Sequence, residues 1–200
     1  VGLVRVTAPD KALLTPQEAA AQVRSTEPKE LDWLADRVDA ATETAELAID
    51  RRFVTQKWKL LRDAFPGARG ETGREARALF VPYPPLVQVH SIKYIDEEGV
   101  EQTLDAAKYR TCTTRTPGEI VPAFGESWPT TRCIEDAVAV EFTCGYGPPA
   151  QVPPLLRAAV ALILGTLYAN RENVAPVEMK EIPQTARWLL EKYSWKRWRS

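Results

Sequence analysis

Few groups in this 200-residue chain could do chemistry. There is one histidine, His90, and there are three cysteines, Cys112, Cys133 and Cys144. A single imidazole excludes multi-histidine metal sites, and any Ser-His-Asp or Cys-His arrangement would have to use it. His90 lies in VQVHSIKYI, a strand-like run, which favours a structural place over a catalytic one. The cysteines are odd in number and none has CxxC spacing. Neither a disulfide framework nor a zinc site is expected, and the thiols read as small buried apolar groups in a reducing cytosol.

Two glycine-containing stretches invite a test. The segment CGYGPPAQVPPLLRAAVALILG places glycines between a strand-like run and an apolar helix, the order found at phosphate sites. It lacks both G-x-x-x-x-G-K-[ST] and G-x-G-x-x-G, and its prolines remove the N–H donors an anion would need. Asp96, Glu97, Glu98 and Glu101 surround Gly99. They do not alternate as a calcium loop requires, so they read as a solvated hairpin tip. No catalytic residue, no metal and no cofactor is expected.

The C-terminal run YSWKRWRS is different in kind. It combines Tyr193, Trp195 and Trp198 with Lys196, Arg197 and Arg199. Tryptophan is costly to leave in water, so these rings are expected to be buried somewhere. Three destinations are open: the protein's own helices, a partner protein where Trp and Arg act as anchors, or nucleic acid reached by stacking and phosphate pairing.

Composition sets the frame for these groups. Hydrophobic residues make up 44% and charged residues 26%, and the formal net charge is −1. That is a globular composition with enough apolar content for a core, and no global charge points to nucleic acid. The length fits one domain, or one domain carrying an insertion. VGLVRVTAPD has no positive segment followed by a long apolar run, so no secretory leader is expected in it.

The elements alternate in texture along the chain. Thr15-Pro-Gln-Glu18 forms a capping box that opens a short helix ending near Arg24-Ser25. A second helix runs from about Glu27 to Arg52 on the stripe Leu31, Leu34, Val38, Ala41, Ala45, Ala48 and Ile49. Asp32, Asp36, Asp39, Glu43 and Glu46 lie mostly off that stripe, as a solvated face. From Phe53 the pattern turns to β, with Val54, Trp58 and Leu60 on one face. FPGARGETGREARA then forms a long exposed loop containing Gly67, Arg69, Gly70 and Gly73.

Further strands are expected at 78–81, 87–95, 100–104, 109–113, 118–121 and 137–144, with tight turns at Asp96–Gly99 and Thr116–Gly118. A third helix, 155–169, is apolar nearly all round. Its apolar run of about a dozen residues is too short to span a bilayer, so it is expected at the centre of a bundle. A last helix, about 182–193, carries Ala186, Leu189, Leu190 and Tyr193 on one stripe. The fold class is therefore α+β: a small helical bundle made by the N- and C-terminal helices, with an inserted antiparallel β region. The expected divisions are 1–52 and 153–193 for the bundle, 53–152 for the β region, and 194–200 for the basic-aromatic tail.

The order of motifs carries a resemblance. LTPQEAAAQVR is followed by LADRVDAATETAELAIDRRFVTQKWKLLRDAFP, then VPYPPLVQVHSIKYIDEEGVEQTLDAAKYR, PGEIVPAFGESWPTTRCIEDAVAVEFTCGYG and VPPLLRAAVALILGTLYANRE. This series, over roughly residues 11–172, resembles the head-to-tail connector, or adaptor, proteins of long-tailed bacteriophages and gene transfer agents. The loop after Phe65 is longer and richer in glycine than the family pattern, and the chain beyond Arg171 matches none of it.

The resemblance implies a non-enzymatic virion protein made in the host cytoplasm and placed at the head–tail neck. Such adaptors form a ring, usually twelve-fold, beneath the portal protein. They extend the DNA channel without gripping DNA, and they meet a stopper or tail-completion protein on the tail side. No membrane role is implied. Two alternatives stay open: the stopper or tail-completion protein of the same neck, or a small DNA-binding protein using the tail. On the adaptor reading, Tyr193, Trp195, Lys196, Arg197, Trp198 and Arg199 are expected to bind the portal. Asp32, Asp36, Asp39 and Glu43 are expected to line the channel. Gly67, Arg69, Gly70, Gly73, Asp96, Glu97 and Glu98 are expected at tail-side or inter-subunit contacts.

Overall fold

A computed structural model of the chain describes residues 1–67, 73, 77–170 and 182–194. The class is α+β, and the chain divides into two compact units. One takes Val1–Pro9 and Thr55–Gly145; the other takes Asp10–Val54 and Tyr146–Ser200.

The helical unit holds α1 (Pro16–Val23), α2 (Leu31–Ile49), α3 (Pro154–Ala169) and α4 (Gln184–Glu191). The capping box forms as expected: the Glu18 amide donates to the Thr15 hydroxyl at 3.2 Å and the Thr15 amide donates to the Glu18 carboxylate at 2.8 Å. That bond to the Thr15 backbone is the main reason the Glu18 carboxyl sits below its ordinary range, with Arg157 helping at 2.9 Å. Pro154 occupies the first turn of α3, where a missing N–H costs nothing.

The α2 stripe buries Leu34, Val38, Ala41, Ala45 and Ile49, which join Leu156, Ala159, Val160, Ile163 and Leu164 of α3 and Ala186 and Leu190 of α4 in one core. Helix α3 packs against the other three helices. It is not buried all round, however. Leu155 is 39% exposed and Ala158 is open to solvent in its first turns, while residues 159–168 are buried or half-buried.

Two residues go where periodicity does not put them. Glu46, expected on the solvated face, is buried. Its Oε1 accepts from the Phe53 amide at 2.7 Å and its Oε2 lies 3.7 Å from Arg52 Nη1. Val54, expected on a strand face with Trp58 and Leu60, belongs to the helical core instead, and the strand begins at Gln56. Where the chain returns from the sheet, Tyr146 donates its amide to the Phe53 carbonyl at 2.8 Å. Gly147 there has a φ of +125°, and a Cβ would lie 2.0 Å from the Gln151 side chain, so only glycine fits.

The sheet unit contains β1 (Gly2–Thr7), β2 (Gln56–Arg62), β3 (Leu79–Val81), β4 (Leu86–Ile95), β5 (Glu101–Thr103), β6 (Tyr109–Cys112), β7 (Gly118–Pro122) and β8 (Val138–Cys144). Five strands form an antiparallel sheet in the order β1-β2-β8-β4-β5, and three form a second in the order β3-β7-β6. The last strand in sequence is thus the middle strand of the larger sheet. Its alternation sorts cleanly: Val138, Val140, Phe142 and Cys144 are buried, while Ala139, Glu141 and Thr143 face outward. Leu60, Ile92, Leu79 and Ile120 complete that core. Strand β1 was not expected from the sequence. It pairs with β2 and takes residues 2–7 into the sheet unit, away from the helices with which residues 1–52 were grouped.

Candidate functional site

Of the three thiols expected to be buried, Cys144 alone is. His90 sits on the exposed face of β4, at a register irregularity, with Nε2 2.7 Å from the Thr143 hydroxyl. Partial desolvation, followed by the nearby Lys57 ammonium, pushes its pKa below the ordinary imidazole value. Cys144 is buried with its Sγ 3.9 Å from the Gln56 carbonyl, Cys112 is half-buried and Cys133 is exposed. Among the described residues no group of three His, Cys, Asp or Glu side chains could hold a metal, and no helix is long and apolar enough to cross a membrane.

The surfaces suited to assembly are better defined. On α2, the spacing 32, 36, 39, 43 puts four carboxylates on one face, opposite the buried stripe. All four are exposed. None makes an ion pair with another described residue. The consequence shows at Asp39, whose pKa is raised by partial desolvation first and by the Asp36 charge second. A carboxyl raised in this way penalises the folded state when ionised, above its folded pKa. The penalty is absent below the unfolded pKa, where both states are neutral. Replacing Asp39 by asparagine is therefore expected to stabilise the chain at neutral pH by about 0.2–0.5 kcal/mol, the size of a like-charge helix pair. That gain should vanish as pH falls through the carboxylate range. Thermal melts of both proteins across pH check this.

The hairpin tip is built by one of its own acids. Asp96 Oδ1 accepts from the Val100 amide and Oδ2 accepts from the Gln102 amide side chain, both at 2.8 Å. The Gln102 bond leads the causes that lower the Asp96 pKa. Gly99 closes the turn onto the Asp96 carbonyl at 3.0 Å with a φ of +88°. Asp96 is thus committed to the turn, whereas Glu97 and Glu98 point into solvent. Gly67 and Gly73 both adopt positive φ, at +88° and +69°. Arg69 and Gly70 lie outside the described residues.

At the end of the helical unit, Tyr193 is half-buried against the core, and its carbonyl accepts from Arg51 Nε. Arg51 Nη1 also donates to the Tyr146 hydroxyl at 3.2 Å. Arg51 therefore pins the point where α4 ends. Trp195, Lys196, Arg197, Trp198 and Arg199 lie outside the described residues. Helix α4 adds a residue not singled out from the sequence. Trp188 is 58% exposed, and the Lys192 ammonium lies 3.8 Å from its ring centroid. The available signal was its position off the Ala186, Leu190 stripe, since a tryptophan off the apolar face has no core to fill.

The fold matches known structures over nearly its whole length. It is similar to chains of gene transfer agent particles. One is from a neck of an empty gene transfer agent particle computed with C6 symmetry: TM-score 0.76, 22% identity, covering 96% of this chain and 95% of that one. Another is from a virion of a native gene transfer agent particle, at TM-score 0.75, 22% identity, and 96% and 95% coverage. A third is from a neck of a native particle computed with C12 symmetry, at TM-score 0.68, 22% identity, and 96% and 94% coverage. At that identity the likeness establishes the fold. No family model matches the sequence, and no curated protein matches it.

Proposed function

We propose that this chain is a structural, non-enzymatic protein of the neck of a phage-like particle: the head–tail adaptor, forming a ring beneath the portal protein. The observation that carries this reading is the near full-length fold likeness to chains in gene transfer agent necks, in structures computed with sixfold and twelvefold symmetry. The surface physics agrees. A ring needs contacts between different faces of neighbouring copies, and a near-neutral chain with both charges on its surface is compatible with that. The carboxylates of α2, which pair with no cation among the described residues, suit a channel that lets DNA pass, since phosphate-binding cations would retard it. Exposed Glu97 and Glu98 at the hairpin tip, with the loop around Gly67 and Gly73, form contacts to the tail-side protein or to neighbouring copies.

On the portal side, the basic-aromatic run from Tyr193 to Arg199 provides the anchor, and Trp188 with Lys192 extends it onto α4. Aromatic and cationic residues in that combination dominate protein hot spots. Removing residues 195–200 spares every described contact of α4 and is expected to weaken co-sedimentation with the portal at least tenfold. Undiminished binding would reject the tail as the anchor. Images of the chain assembled with its portal test the wider reading: a ring next to the portal supports it. Density lower in the neck would mark a stopper or tail-completion protein. Steeply salt-dependent DNA binding by the free chain would favour the nucleic-acid alternative.

A further inference from the structure

Arg51 joins parts of the helical unit that are far apart in sequence. Its Nε donates to the Tyr193 carbonyl, 142 residues on, and its Nη1 donates to the Tyr146 hydroxyl at 3.2 Å. The side chain starts from a fixed base. Asp50 ends α2 in the left-handed region, at a φ of +52°, and the Arg51 amide donates to the Glu46 carbonyl at 3.2 Å. The two residues that follow are held by the Glu46 side chain, Arg52 through its guanidinium and Phe53 through its amide. A planar guanidinium on such a base holds its two acceptors in one geometry.

The far side of the bond is held as well. The Tyr193 ring is half-buried against the helical core. The Tyr193 amide donates to the Leu190 carbonyl at 2.9 Å, and the Ser194 amide donates to the Glu191 carbonyl at 3.2 Å. The carbonyls at a helix end are commonly left to water or to a local cap. Here the Tyr193 carbonyl, two residues past α4, takes a charged donor from the end of α2 instead. Helix α4 has its own anchors in buried Ala186 and Leu190. What the Arg51 bond fixes is the place from which the chain passes into the basic-aromatic run, which begins at Tyr193.

We propose that Arg51 is a positioning residue for the portal anchor: by fixing the Tyr193 backbone, it presents the basic-aromatic run to the portal protein from one place. This rests on the reading of that run as the anchor. A binding segment held at its root keeps a higher effective concentration at its site, and less ordering remains to be done on binding. The role is geometric. An arginine that only added positive charge would give way to lysine without loss, but an ammonium is a point charge without the planar fork that Tyr193 and Tyr146 share.

Co-sedimentation with the portal tests this on the wild-type chain, on Arg51→Ala, on the chain lacking residues 195–200, and on that truncation combined with Arg51→Ala. Arg51→Ala is expected to weaken binding about fivefold in the full chain, the size of one added ordering cost, and to change nothing in the truncated one. Arg51→Lys keeps the charge and the aliphatic stem, so it provides a folded variant if alanine does not. It should bind more weakly than the wild type and more tightly than alanine. A loss of equal size in the full and truncated chains would make Arg51 a structural residue only and overturn the proposal. Wild-type binding by both Arg51 variants would overturn it too, and would leave the anchor reading standing. Undiminished binding by the truncated chain alone overturns both.

Discussion

Replacing Glu46 with leucine is expected to cost the helical unit about 3–5 kcal/mol, the range for removing one member of a buried ion pair. The side chain does two things at once. It accepts from the Phe53 amide at 2.7 Å, and it places negative charge 3.7 Å from the Arg52 guanidinium, whose side chain is only 6% exposed. Leucine fills similar space but supplies neither the acceptor nor the charge, and an amide deprived of its acceptor in a buried place adds its own desolvation cost. Glutamine keeps an oxygen for Phe53 and gives up only the charge, so Glu46→Gln should fall between leucine and the wild type. Urea unfolding followed by far-ultraviolet circular dichroism measures this through the midpoint at constant slope. A loss below about 1 kcal/mol for leucine would show that the pair is not a structural element.

A comparable loss, about 3–5 kcal/mol, is expected from Phe142→Ala in the sheet unit. Phe142 is fully buried in the middle of β8, opposite Trp58 on β2 and Val89 on β4. Truncation removes the largest side chain of the central strand and leaves a cavity bounded by two neighbouring strands, which cannot both close on it. The next residue provides the contrast. Thr143 faces outward and bonds to exposed His90, so Thr143→Val should stay within about 0.5 kcal/mol of the wild type. Denaturant midpoints, with near-ultraviolet circular dichroism following the tryptophans as a group, separate the two. Equal effects would mean that the assigned faces of β8 are wrong.

Much of this architecture was legible residue by residue. The α+β class followed from a switch in period, from 3.6 on Leu34, Val38, Ala41 and Ala45 to 2 on Val138, Val140 and Phe142. The Thr15–Glu18 cap and the Asp96–Gly99 turn formed where expected, because each is closed by residues within four positions. Of the proposed surfaces, the acidic face of α2 was readable for the same reason: helical spacing alone puts 32, 36, 39 and 43 together and away from the apolar stripe. Trp188 was signalled only by its place off the α4 stripe, since how far a neighbour covers it is a property of the packed molecule.

What the sequence by itself determined was therefore local: caps, turns, strand alternation, and a shortage of groups for catalysis. Tertiary structure decided the rest. It drew residues 2–7 into the sheet as an edge strand, although their own pattern is too short to announce a partner. It seated the last strand in the middle of the sheet, and it moved Val54 into the helical core. It also buried Glu46, because an acid's cost of leaving water is set by what meets it. Here that is an amide seven residues away and a guanidinium six residues away, both brought in by the turn that ends α2.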